Sequence, residues 1–368
     1  MSAPPRERAM RVADRQMRRM RSAGAASGHA SRMFPGGSAG SVPPVLLIAP
    51  DSFKGTFSAP AVAAAIARGA RAAGAECDLC PAADGGEGTL SVLLDALGGT
   101  TAEAAAHDPL GRPLRAQLGW LDDGATAVVE TAAASGLALL APHERDPEAA
   151  STRGTGELIA VAAAAGARRI VVGAGGSATV DGGAGALAAI ADGGGLRGAE
   201  LLVLCDVATP FEQAARVYGP QKGADAAAVE RLSARLHAQA AALPRDPRGV
   251  PMSGAAGGLS GALWAAHGAR LEAGAAWVLD RLGFDARLAR ADAVVTGEGR
   301  LDAQTREGKL VGEIAARCRR AGVPLHVVAG RVALDGAGLA ALGIASAHAA
   351  PDAAAMVAAG RTVAARVG

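Results

Sequence analysis

Short apolar runs alternate with Ala-rich helical stretches along most of the chain. Residues 45–49 are apolar and run into Pro50-Asp51, the pattern of a buried strand. Ser58 then stands as a helix N-cap with Pro60 in the first turn, and the helix is expected to end near Gly74. A second strand leads to Ala82, and a helix over 89–97 stops at Gly98. Residues 114–121 and 125–131 alternate as antiparallel strands do, and a helix over 156–165 precedes a strand over 169–173. Further on, strands are expected at 201–205, 293–296 and 325–329, and helices at 226–243, 256–267 and 311–321. Apolar strands alternating with helices imply a parallel sheet covered on both faces. The expected fold class is therefore α/β, and the antiparallel signal lying mid-chain indicates an inserted second domain. A doubly wound parallel-sheet domain is built from 45–105 and 270–368, with a second α/β domain inserted at 106–269.

Composition adjusts this picture in three places. Aromatic residues are only 2% of the 368, so the core must be packed mainly by Ala, Val, Leu and Ile. The 51 glycines have no collagen period; they cluster after apolar runs, where backbone turns sharply or approaches a ligand. Charge is uneven: eight arginines and two acids precede Val45, a local +6, so the rest of the chain carries −4. A mildly acidic body argues against nucleic-acid binding. Residues 1–44 lack apolar periodicity and are read as a disordered extension, or as the product of an upstream start codon, Met33 lying just before the first strand. No apolar run is long enough to span a bilayer, so no membrane partner is expected. Cys77 and Cys80 form a C-x-x-C without a second pair or nearby histidines, which fits reduced thiols in a cytoplasmic protein better than zinc.

The sharpest motifs fall where strands should end, and ligands of open α/β sheets sit outside the carboxyl ends of strands. The first, 48–55, sets Asp51, Ser52 and Lys54 within four residues. The second, Asp84-Gly85-Gly86-Glu87-Gly88, frames two acids with glycines. Glycine has no side chain to pack, so these glycines are expected to let backbone approach a ligand while Asp84 and Glu87 hold a magnesium ion or a substrate hydroxyl. A polar turn capping the next helix is the plainer reading. The third, 173–183, contains Gly175, Gly176, Ser177 and Asp181 and reads as an anion cradle opening a helix. It also matches G-x-G-x-x-A with Asp192 beyond it, which keeps a nicotinamide-dependent oxidoreductase as an alternative. The fourth, 296–302, carries Gly297, Glu298, Gly299 and Asp302, with Thr305 and Lys309 further on, and suits a metal–phosphate site. Arg153 opens a helix where it could meet a carboxylate or phosphate, Asp206 ends a strand, and Lys222 lies in a glycine-rich loop. No P-loop, protein-kinase set or G-x-S-x-G elbow is present, and the histidines are scattered. Anion cradles, strand-end carboxylates and a few cations fit phosphoryl transfer, which needs positioning and charge neutralisation.

The segments IAPDSFKG, ADGGEGT, DPLGRP, ETAAASGLAL, STRGTGELI, GGSATVDGGAGAL, CDV, YGPQKGA, GAAGGLSGAL and TGEGRLD occur in this order. In them the chain resembles the type-1 glycerate kinase family over about residues 45–330. The resemblance implies a flavodoxin-like domain with a second α/β domain, and transfer of the ATP γ-phosphoryl to D-glycerate with Mg²⁺, 2-phosphoglycerate being favoured over 3-phosphoglycerate. Carried onto matching positions, Lys54, Asp181 and Asp206 are expected to be catalytic and Asp51, Ser52, Asp84, Glu87 and Arg153 to bind glycerate. Gly175, Gly176, Ser177, Gly297, Gly299 and Lys222 are expected to hold phosphate, and Glu298 and Asp302 the metal. A homo-oligomer is compatible with all of this. The chain departs from the family in an abbreviated stretch at 192–200, in Glu212-Gln213-Ala214-Ala215 after Thr209-Pro210, and in lacking a proline after Lys309. These changes are expected to bear on the loops beside Asp206. A non-catalytic anion-binding relative of a kinase is the second alternative.

Overall fold

The structure is a computed structural model that describes residues 43–53, 55–302, 305 and 309–368. The proposed extension at 1–44 therefore lies almost wholly outside the described residues. The strands are β1 (Val45–Ile48), β2 (Glu76–Leu79), β3 (Gly99–His107), β4 (Pro113–Leu121), β5 (Thr126–Glu130), β6 (Arg169–Gly173), β7 (Glu200–Cys205), β8 (Arg270–Ala273), β9 (Ala293–Leu301), β10 (Leu325–Val332) and β11 (Ile344–Ala349). They form two sheets inside one compact unit.

The first sheet has the order β2-β1-β9-β10-β11 with every pair parallel. Counted within this sheet, that is the flavodoxin-like order 2-1-3-4-5, whose binding crevice opens where the order reverses, between β1 and β9. The central strands are buried on both faces: Leu46, Leu47 and Ile48 of β1 and Ala293, Val294 and Val295 of β9 are at most 1% exposed. This is why they read as unbroken apolar runs. The second sheet runs β3 to β8 in chain order. β3-β4-β5 is antiparallel, as the alternation predicted for the last two, whereas β5 through β8 are parallel. Both β3 and β8 belong to this sheet, so the chain changes sheet between residues 98 and 99 and returns between 273 and 274.

One apolar core joins the sheets. Leu47 and Val294 of the first share it with Val128, Val171, Leu202 and Leu204 of the second, together with helices Thr89–Leu97 and Gly274–Arg281. Where the halves meet, backbone touches backbone. A Cβ on Gly175 would lie 2.5 Å from Gly86 Cα, one on Gly173 2.7 Å from the Gly85 carbonyl, and one on Gly274 2.2 Å from the Asp84 carbonyl. Gly85 and Gly86 of the Asp84–Gly88 motif thus serve packing at this seam, whereas Gly88, at φ 94°, faces open space.

The same economy of side chains binds helix Ala59–Ala72 to helix Ala353–Val367. A Cβ on Gly69 would meet the Val357 carbonyl at 1.8 Å, and one on Gly360 the Ile66 carbonyl at 2.1 Å. Gly69→Ala gains helix propensity but must push the helices apart, and overpacking of this kind costs about 1–3 kcal/mol. A lower urea midpoint with an unchanged m-value is the expected result; an unaltered midpoint would mean the helices can part freely. The second helix brings Gly368 near Pro44, just before β1: a Cβ on Gly368 would lie 3.5 Å from Pro44 Cγ. Among the described residues no helix is long and apolar enough to cross a membrane.

Candidate active site

Of two clefts that meet at Lys309, the larger, about 500 Å³, opens at the β1/β9 reversal and is walled by the loop after β1, the end of β9 and the residues that follow it. The loop after β1 is tied to β9, since the Asp51 N–H donates to the Gly297 carbonyl (2.8 Å) and Thr296 Oγ1 to the Ala49 carbonyl (2.7 Å). Asp51, Ser52, Asp84, Glu298, Gly299 and Asp302 all line this cleft, with Arg300, Thr305 and Lys309. Burial pushes the Glu298 carboxyl up to about 7, with the nearby Asp302 and Asp84 charges adding to the rise. A hydrogen bond from Thr305 Oγ1 (2.7 Å) and the Lys309 charge oppose it. Arg300 pairs with Asp302 at 2.9 Å.

The smaller cleft, about 240 Å³, lies at the carboxyl ends of β6 and β7. Gly175, Gly176 and Ser177 form one wall, Asp206 and Val207 another, and Tyr218, Gln221 and Lys222 a third. Lys222 is 4% exposed; its ammonium donates to Ser177 Oγ (2.8 Å) and to the Thr179 carbonyl (2.7 Å). Burial draws its pKa down to about 7, against the opposing pull of Asp181 and Asp206. The loop beneath carries an unusual conformation: Ala256, which lines the cleft, is left-handed at φ 51°. Gly257 beside it accepts from the Gly182 N–H (3.0 Å) and leaves no room for a Cβ, which would sit 2.0 Å from the Thr179 carbonyl. The helix expected from 256 therefore starts only at Leu259.

Other expected site residues are placed elsewhere. Lys54 lies outside the described residues. Asp181 lines neither cleft. It accepts from the Thr152 N–H and hydroxyl (both 2.8 Å) and from the N–H groups of Gly183 and Gly185, so it anchors the turn that carries the cradle into helix Ala184–Asp192. Arg153 pairs with Glu157 and Asp192 (both 3.1 Å) on a partly exposed helix face, away from both clefts. Asp192, the acid that the oxidoreductase reading needed, is engaged there, and the cradle follows β6 of the second sheet. Glu87 is exposed and lines neither cleft. Gly297 is interior, with its missing Cβ 2.3 Å from the Val328 carbonyl, so β10 demands that glycine. The abbreviated stretch at 192–200 enters β7 at its start, one strand length (about 20 Å by the strand rise) from Asp206 at the other end. The replacement at 212–215 does bear on the site, because it leads into the helix carrying Tyr218. Sequence reasoning passed over Glu130, whose buried carboxylate accepts from the Leu90 N–H (2.8 Å) and caps helix Thr89–Leu97 across the seam. Its signal was present as the first residue of ETAAASG. Among the described residues no three His, Cys, Asp or Glu side chains are grouped to enclose a metal.

The family model described as the glycerate kinase family matches residues 46–192 and 194–365. A protein named glycerate kinase from Bacillus subtilis (strain 168) is 40% identical, covering 79% of this chain and 86% of its own length. A glycerate 2-kinase of Escherichia coli (strain K12) is 38% identical with the same coverage. A crystal structure from Salmonella typhimurium LT2, provisionally assigned as glycerate kinase 2, superposes with a TM-score of 0.73 at 36% identity and covers 89% of this chain and 98% of that one. With matches over nearly all of both sheets and of the loops that build the two clefts, the chain belongs to the glycerate kinase family.

Proposed function

We propose that this protein transfers the γ-phosphoryl group of ATP to D-glycerate, with ATP in the larger cleft and glycerate in the smaller. The observation that carries the reading is a pair of clefts of unequal size that share a wall at Lys309. A volume near 500 Å³ falls in the range of about 300–1,000 Å³ that suits nucleotide-sized ligands, and 240 Å³ suits a three-carbon acid. This exchanges the roles expected for Asp51, Ser52 and Asp84 and for the cradle. The strand-order reversal, where such sheets bind nucleotides, supports the exchange.

The residues of the larger cleft also suit magnesium. That ion usually takes only one or two carboxylates together with phosphates and water, so a three-ligand cage is not required. Glu298 is a carboxylate whose burial disfavours its anion, and Asp302 lies beside it; these two would hold the ion. Bound there, it would neutralise charge on the triphosphate. Lys54, which follows Asp51 and Ser52 in the chain, is proposed on its motif alone to supply a cation for the same phosphates. In the smaller cleft, the Lys222 ammonium and the cradle would bind the glycerate carboxylate, and Asp206 would take the proton of the accepting hydroxyl. Asp181 would act one step removed, by keeping the cradle in shape. Four free cysteines, three of them buried, support a reducing, cytoplasmic setting.

Purified protein should release ADP only with ATP, magnesium and D-glycerate present together, and ³¹P spectra should show 2-phosphoglycerate as the product. Absence of glycerate-stimulated ADP release would defeat the assignment; a 3-phosphoglycerate resonance would change the accepting hydroxyl.

A further inference from the structure

Lys309 is the one described residue that lines both clefts. Its backbone position is firmly held. It precedes helix Leu310–Ala321 in an extended conformation, its carbonyl accepts from the Glu313 N–H (3.0 Å), and Leu310 and Val311 are at most 1% exposed. The lysine itself is half-buried, and its charge acts favourably on the Glu298 carboxylate in the larger cleft. The acids of the larger cleft account for a cation nearby, but not for its standing at the wall shared with the smaller one.

We infer that Lys309 is a catalytic residue that contacts the phosphoryl group while it passes from one cleft to the other. The inference rests on the two-cleft reading above. In the transfer, the bond from the γ-phosphorus to the bridging oxygen breaks and leaves its electron pair on ADP. A bond forms from the glycerate hydroxyl oxygen to that phosphorus, and the hydroxyl proton passes to the Asp206 carboxylate. Midway, the group belongs to neither substrate and its charge spreads over the equatorial oxygens. An ammonium that waits at the boundary meets that charge with little reorganisation, the arrangement in which electrostatic stabilisation is most effective. The competing explanation is that Lys309 only balances the acids of the larger cleft.

The two are separated by Lys309→Met, which keeps the stem and removes the charge, and Lys309→Arg, which keeps the charge, both in the full chain. We expect Lys309→Met to lose about 10²-fold or more in kcat, as removal of a charge-stabilising donor does. The KM values for ATP–magnesium and glycerate should each stay within about threefold, because the contact is made only in transit. Lys309→Arg should recover part of the loss, and both variants should melt like the wild type. The inference is overturned by a Lys309→Met kcat within about threefold of wild type, or by a loss that appears only as a raised KM for one substrate. A charge-balancing role would show as a lowered melting temperature with near-normal kcat per folded molecule. Should Lys309→Met not fold, Lys309→Gln, which also removes the charge, is compared in the same way, and a kcat within about threefold of wild type overturns the inference. Wild-type turnover is measured alongside: an inactive wild type speaks against the two-cleft reading and removes the inference with it, whereas active wild type and active Lys309→Met speak against Lys309 alone.

Discussion

Asp206→Asn should lower kcat by about 10²–10⁴, the range typical for loss of a general base, while the KM for ATP–magnesium stays close to wild type. Asp206 ends β7 in the smaller cleft, across from Lys222, and no part of it lines the larger one. Asparagine preserves size and hydrogen bonding but cannot take up the proton of the glycerate hydroxyl. The loss should therefore fall on the chemical step, and steady-state rates in the pH range of the wild-type optimum will show it. A structural role predicts another pattern, a lowered melting temperature with kcat per folded molecule nearly preserved. If Asp206→Asn turns over within about threefold of wild type, the base lies elsewhere.

Lys222→Met should be the second severe variant, costing about 10²–10³ in kcat/KM for glycerate, in keeping with the 2–5 kcal/mol that loss of one partner of a buried charge pair costs. Its pH dependence carries the more specific signature. With its pKa drawn down to about 7, the free-enzyme ammonium is lost as pH rises through neutrality, while glycerate remains an anion throughout. The wild-type KM for glycerate should therefore climb above pH 7, and binding should take up a proton. In Lys222→Met the KM should be high and flat over the same range. Stability moves in the opposite sense. The unfolded lysine keeps its proton up to about 10.4 and the folded one releases it near 7. Between those values the unfolded chain binds more protons, so stability contributed by this site rises with pH, and below 7 the buried charge is a full cost. A glycerate KM that is flat in wild type from pH 6 to 9, numbers chosen to bracket the about-neutral transition, would show that Lys222 does not bind the acid.

Much of this was legible in the chain because local chemistry and tertiary position agree there. β1 and β9 are apolar on both faces, so they read as strands without ambiguity, and their ends gave Asp51, Ser52, Glu298 and Asp302, which do meet in one cleft. β3 did not read at all. It is Gly99–His107, rich in alanine, and owes its conformation to nine consecutive pairings with β4 rather than to strand propensity. The motifs misled where a residue type has two uses. Gly85, Gly86, Gly173 and Gly175 looked like ligand-facing glycines, yet their first duty is to let two pieces of backbone touch. Arg153 and Glu87 share short motifs with cleft residues, but Arg153 pairs with Glu157 and Asp192, Glu87 is exposed and neither lines a cleft; spacing along a chain does not encode that placement. Lys309 was visible as a cation after the fourth motif, but that it serves two clefts emerges only when two sheets are assembled around it.

The meeting of Gly368 with Pro44 bears on what kind of protein this is. With Gly368 near Pro44, the order of the parts between them can be pictured as a ring opened at one place. Opened at the present ends, the ring shows one sheet interrupted by another. Opened between residues 98 and 99 instead, the same contacts would be spelled as two consecutive domains, residues 99–273 followed by a complete five-stranded sheet running through 368 and 44 to 98. Nesting here is thus a property of the linear text rather than of the packing. The glycine seam, and the two clefts beside it, are indifferent to the choice.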